Sequence, residues 1–310
     1  MIDPQAEAVR AAFNAGPPLD QVGLEPARKW LAGERARRQC HTAVNKVADL
    51  TAGDIAVRLY HPQPDSQLPV IVFAHGGGWV LGSVDTADEA CRRLANAAAC
   101  AVLSVEYRLA PEVRHPGPVQ DMLAVLNWLP GAAAELSVDA RRVAIAGESS
   151  GAHVACSAVL AACELGLAGT GKVPTLAAQL LVCPAVDPQM GSASWATLGE
   201  HYVPRRSQMR WMWGLYLGEQ GEFAAGAPDP AVADVTGAPP TVLVVAEYDP
   251  LRDEGLELAR RMEAAGTAVQ VIDCAGQIHP VFAHAAAVDN CDLYLRQAAG
   301  AVGALLRQGE

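Results

Sequence analysis

The sequence predicts an α/β fold built on a mostly parallel sheet. From residue 70 onward, short β-branched runs alternate with helical stretches, and the runs are apolar on both faces. A glycine-flanked turn, Gly147-Glu148-Ser149-Ser150-Gly151, sits between one such run and the helix that follows it.

The elements follow in order. Residues 6–15 and 25–38 read as helices; Gly16-Pro17-Pro18 ends the first, and Pro26 opens the second, which closes on basic residues. Runs at 43–50 and 55–60 flank Gly53-Asp54 and read as an antiparallel hairpin. Strands are then predicted at 70–73, 101–105, 143–146, 179–183, 241–246 and 268–273, and helices at 87–99, 119–129, 152–165, 253–264 and 289–306. Ligand chemistry in such a sheet gathers at the carboxyl ends of the strands. The segment 189–224 breaks the alternation, crowding together Trp195, Tyr202, Met209, Trp211, Met212, Trp213 and Tyr216. It reads either as ordinary helix core or as an inserted helical cap that gives a pocket an apolar wall.

Composition limits the function. With 310 residues, 51% of them hydrophobic, the chain can bury a large core. Its 23 Lys and Arg against 34 Asp and Glu leave a net charge of −11, which disfavours nucleic acid and anionic membranes as partners. No apolar run approaches the roughly 20 residues of a bilayer span, and Met1-Ile2-Asp3-Pro4 lacks the basic and apolar regions of a signal peptide. A cytoplasmic protein without stable membrane association is expected. Eight cysteines show no C-x-x-C pairing, so they read as buried free thiols, with no metal role.

The chemistry is concentrated in a few motifs. G-x-S-x-G between a strand and a helix makes Ser149 the candidate nucleophile, because the tight turn projects its hydroxyl while small neighbours let the backbone pack. Ser150 is expected to contribute its backbone N–H at the helix start. His75-Gly76-Gly77-Gly78-Trp79 follows the strand at 70–73, and its glycines let amides turn toward a developing oxyanion. His75 itself reads as a loop-ordering residue. A nucleophilic serine needs a base, and the base an orienting acid, here in the chain order Ser, acid, His. Asp249, beside Pro250 and just beyond the strand at 241–246, is preferred to Glu247 and Asp253, and His279 to His284. His115 and His153 read as structural or surface residues and His201 as part of the cap segment.

These motifs resemble the hormone-sensitive-lipase-like family of α/β-hydrolase esterases. The likeness runs through Asp3-Pro4-Gln5, His75-Gly76-Gly77-Gly78-Trp79, Leu81-Gly82-Ser83, Tyr107-Arg108-Leu109-Ala110-Pro111-Glu112, the serine turn, Asp249-Pro250-Leu251-Arg252-Asp253-Glu254-Gly255 and Ile278-His279. It implies an α/β-hydrolase fold with an eight-stranded sheet in a core of residues 43–188 and 225–310. It also implies a cap made by the N-terminal helices (1–42) and the insertion 189–224. The activity implied is cofactor-free hydrolysis of small or medium acyl esters by Ser149, Asp249 and His279, with Gly76, Gly77 and Ser150 as the oxyanion hole. Trp79, Trp211, Trp213, Leu251 and Phe282 are expected in the pocket. Three departures stand out: Glu148-Ser149-Ser150 replaces Asp-Ser-Ala, His115-Pro116 replaces Phe-Pro, and His279-Pro280-Val281-Phe282 replaces His-Gly-Phe. An amidase or arylformamidase would use the same triad, and a small-molecule receptor on this fold would lack the base. The expected partner is a small-molecule ester; a homodimer is one assembly the sequence leaves open.

Overall fold

The computed structural model describes residues 1–38, 42–166, 173–218, 223 and 228–308, with residues 35–38 as backbone. Cys40 and residues 219–222 and 224 of the expected cap segment lie outside the described residues. Helices α1 (Pro4–Asn14) and α2 (Leu24–Arg38) precede a hairpin of β1 (Lys46–Ala52) and β2 (Ile55–His61). Then come β3 (Leu68–Ala74), α3 (Asp88–Ala98), β4 (Ala101–Val105), α4 (Gly117–Leu136), β5 (Val138–Glu148), α5 (Ser150–Glu164) and β6 (Leu176–Val182). After α6 (Ala193–Leu198) and α7 (Arg206–Leu217), the chain finishes with β7 (Thr241–Tyr248), α8 (Arg252–Ala264), β8 (Val269–Ile278) and α9 (Asp289–Arg307).

The strands form one eight-stranded sheet in the order β1-β2-β4-β3-β5-β6-β7-β8. The pairs β1–β2 and β2–β4 are antiparallel, and every later pair is parallel. Alternation along β3 shows why both faces need cover. Val70, Val72 and Ala74 point into one apolar cluster with α4, α5 and α8, while Ile71 and Phe73 join α3 and α9 on the other face. Each such buried aliphatic side chain contributes on the order of 1.5–3 kcal/mol. Cys91, Cys100, Cys156, Cys183, Cys274 and Cys291 are buried within this packing and Cys163 half-buried, all as free thiols. No described helix is long and apolar enough to cross a membrane.

Some elements outrun their sequence signals; β8 runs to Ile278 rather than 273. Helix α4 continues past Pro130 to Leu136, because Ala132, Ala133 and Leu136 bury their side chains in the core beyond the proline. Strand β5 begins at Val138 rather than 143; Asp139 pairs with both Arg141 and Arg142, so charged residues that mask the pattern are held along the strand.

The N-terminal segment is fastened to the far edge of the sheet. Asp3 caps α1 through Oδ1, its Oδ2 accepts from Asn290 and Gln277, and its own N–H donates to the carbonyl of Gly276. At its other end α1 reaches the 201–205 segment, where Arg10 and Asn14 donate to the carbonyl of His201 and Arg205 donates to Asn14.

His153 on α5 sits within an aromatic cage of Trp79, Trp213, Tyr216 and Phe223. Burial pulls its pKa down to about 3, and that of His75 down to about 4. Both are therefore neutral in the folded protein, whereas an unfolded histidine takes up a proton below about pH 6.5. The unfolded state binds more protons there, so stability is full above that pH and drains away as pH falls toward 4. Each histidine contributes about 1.4 kcal/mol per pH unit to this slope. Urea unfolding of His153→Phe between pH 6 and 4.5 is expected to show a shallower loss by about that amount; an unchanged slope would contradict the assignment.

Candidate active site

Parallel pairing sets the site. Ser149 is the first residue beyond β5, Asp249 the first beyond β7 and His279 the first beyond β8. These strands lie near one another in the sheet, separated at β6, with carboxyl ends facing the same way. Three residues spread over 130 positions are thereby brought to one edge.

At that edge His279 Nε2 lies 3.0 Å from Ser149 Oγ, and His279 Nδ1 lies 2.8 Å from Asp249 Oδ2. A carboxylate can only accept, so Nδ1–H donates to Asp249 and Nε2 is left to accept from the serine hydroxyl. Asp249 is wholly buried, its other oxygen accepting the N–H of Leu251 at 2.8 Å. Ser149 adopts φ 58° and ψ −122°, a strained conformation for a residue with a side chain. Its surroundings enforce it: α5 crosses β3 so closely that a Cβ on Gly151 would collide with the carbonyls of Ala74 and His75.

The glycine loop packs against this turn. A Cβ on Gly76 would stand 3.4 Å from that of Ser149, and Gly76 and Gly77 line the same cavity as Ser149 and His279. His75 stacks on Tyr107 with ring centroids 4.2 Å apart, and the Tyr107 hydroxyl donates to the His75 carbonyl. Ser150 opens α5, where the first amides of a helix have no partner within it.

The acids passed over as triad members hold the frame. Glu247 accepts the N–H of Gly276. Asp253 accepts that of Ser194, and buried Glu254 accepts from Val186, Asp187 and the Trp195 indole, tying α6 to the sheet. His284 is buried beside the site, 3.3 Å from the His279 carbonyl. His115 joins the aromatic cage around Tyr216 rather than the surface.

The cavity wall departs from expectation. Trp79, Trp213, Leu251 and Phe282 are buried in the interior, and Trp211 packs half-buried against the core; none of the five lies on the wall that reaches Ser149. Trp79 turns inward at φ 62° and stacks on Tyr216 at 4.5 Å. In their place Val9 and Phe13 of α1, Leu19, Leu31 of α2, and Met209 and Met212 of α7 supply the apolar lining. The i, i+4 pair Val9 and Phe13 was the sequence signal for an inward-facing stripe.

Glu148 links the two departures that flank Ser149 and His279. Its carboxylate accepts the N–H groups of Phe282 at 2.7 Å and Ala283 at 3.2 Å, so the residue before the serine clamps the loop after His279. With this clamp, Pro280 is accommodated and the imidazole still meets the serine.

A family model described as the alpha/beta hydrolase fold matches residues 71–283. The chain belongs to the hormone-sensitive-lipase-like α/β-hydrolase family. Among members, it is 36% identical over 232 residues to the carboxylesterase NlhH of Mycobacterium tuberculosis, covering 73% of this chain and 70% of that one. It is 30% identical over 305 residues to an ethyl acetate hydrolase of Pseudomonas putida, covering 92% of each. The crystal structure of a thermostable esterase from Pseudomonas putida superposes with a TM-score of 0.90 at 28% identity, over 99% of this chain and 98% of that one.

Removing the Glu148 carboxylate takes the acceptor away from the buried Phe282 N–H, close to His279. Glu148→Ala is expected to slow fluorophosphonate labelling of Ser149 by about 10–100-fold, the scale of a small misplacement of reacting groups. Glu148→Gln keeps an acceptor and should recover most of the rate; equal rates in all three proteins would remove the clamp's role.

Proposed function

We propose that this protein is a serine carboxylesterase acting on short- to medium-chain esters. The observation that carries the reading is the continuous hydrogen-bonded path from Ser149 Oγ through His279 to Asp249, opening on an apolar cavity. His279 takes the hydroxyl proton as Ser149 attacks the ester carbonyl, and Asp249 holds the tautomer and stabilises the imidazolium. The tetrahedral oxyanion is received by the amides of Gly76, Gly77 and Ser150, each such donor contributing on the order of 3 kcal/mol to the transition state. The alcohol departs with the proton from His279, and water then releases the acid by the same steps in reverse.

The lining supports this substrate class. Aliphatic and thioether side chains of α1, α2 and α7 give an acyl or alkoxy group an apolar bed. In this reading α1, α2, α6 and α7 form the cap over the site, combining the N-terminal stretch 1–42 with the insertion 189–224.

A p-nitrophenyl ester series tests the proposal. Activity should be highest on short chains, and Ser149→Ala should lose at least about 1000-fold in kcat with its thermal unfolding little changed. Comparable turnover by the variant would refute it. A matched anilide turned over faster than its ester would instead assign the triad to amide hydrolysis.

A further inference from the structure

Four consecutive parallel strands end on a row of functional side chains: Ser149 after β5, Cys183 after β6, Asp249 after β7 and His279 after β8. The triad reading uses three of them. Cys183 fills the remaining place, in a left-handed conformation at φ 47° that parallels the turn at Ser149. Its Sγ, a carboxylate oxygen of Asp249 and a ring nitrogen of His279 all lie within 4.8 Å of one another. All three side chains are buried. Thiolate, imidazole and carboxylate are the donor set of a borderline or soft divalent cation such as Zn²⁺ or Cd²⁺; bonds of about 2.0–2.3 Å to Zn²⁺, and somewhat longer ones to Cd²⁺, draw three such donors around one centre.

We propose that Cys183, Asp249 and His279 form an inhibitory site for a thiophilic divalent cation. The cation binds as the Cys183 thiol gives up its proton, leaving a thiolate–metal bond, while the carboxylate and one imidazole nitrogen complete the protein ligands. Binding stops the base whichever nitrogen is taken. A metal on Nε2 occupies the lone pair that receives the serine proton. A metal on Nδ1 forces the remaining ring proton onto Nε2, which then has nothing to accept with. In either arrangement Asp249 is diverted from orienting the ring. His279 lies on the cavity wall, so the route for the ion is the substrate's own entrance.

The proposal adds a ligand to the site on which the esterase reading rests, and its test separates the two. Chelator-treated protein is titrated with Cd²⁺, following both cadmium–thiolate absorption and hydrolysis of a p-nitrophenyl ester. Cys183→Ala and Cys183→Ser are compared with the unaltered chain; both residues are small enough for the left-handed backbone, and thermal unfolding verifies that each variant is folded. The unaltered protein should gain the absorption band and lose its activity together. In both variants the part of the band due to this site should vanish, and the inhibitory Cd²⁺ concentration should rise by at least about 100-fold relative to each variant's own metal-free rate. Equal inhibition in all three proteins, or none in the unaltered chain, overturns the proposal. A Cys183-dependent band in a protein that hydrolyses no ester would keep the metal site and reject the esterase reading.

Discussion

Parallel strand pairing is the constraint on which this molecule depends. Strands β3 to β8 all run in the same direction, and the register decides which residue stands first past each strand end. A slip of one residue at β7 or β8 would turn Asp249 or His279 to the opposite face, because side chains alternate along a strand. The apolar interdigitation on both faces of the sheet therefore does more than stabilise the chain: it sets the distances of 2.8 and 3.0 Å that link His279 to Asp249 and to Ser149.

Buried carboxylates complete what pairing begins. Glu148 and Glu254 are removed from water, and each is matched by N–H donors from segments distant in sequence. Burial pushes the Glu254 carboxyl up to about 8, and a buried acid is costly unless its acceptor sites are used. Using them joins the serine turn to the histidine loop in one case, and α8 to α6 in the other. The Asp-to-Glu and Gly-to-Pro departures thus meet in a single contact, the longer acid reaching amides of the loop that the proline begins.

Much of this was legible in the sequence. Every strand was anticipated, because runs apolar on both faces leave a clear signal, and the three residues of the hydrogen-bonded path could be picked from the G-x-S-x-G turn, strand-end position and chain order. The failures share a cause. Trp79, Trp211, Trp213, Leu251 and Phe282 were expected at the pocket because they are large and apolar, but periodicity cannot tell which apolar face meets a cavity and which meets the core. Trp79 turns inward through a backbone conformation that its letter does not announce, and Cys183 reads as filler until the strand order sets it beside Asp249. Charged residues at the start of β5 and a proline within α4 hid true boundaries, since tertiary packing overrode local preference.

The docking of α1 separates two duties along a single helix. Asp3 is fixed to Gly276 and Gln277, shortly ahead of His279, whereas Val9 and Phe13, two and three turns further on, line the cavity. Replacing Val9 or Phe13 therefore reshapes the cavity beside Ser149 while leaving in place the anchorage of the strand that ends at His279, so this short segment carries shape at one end and attachment at the other.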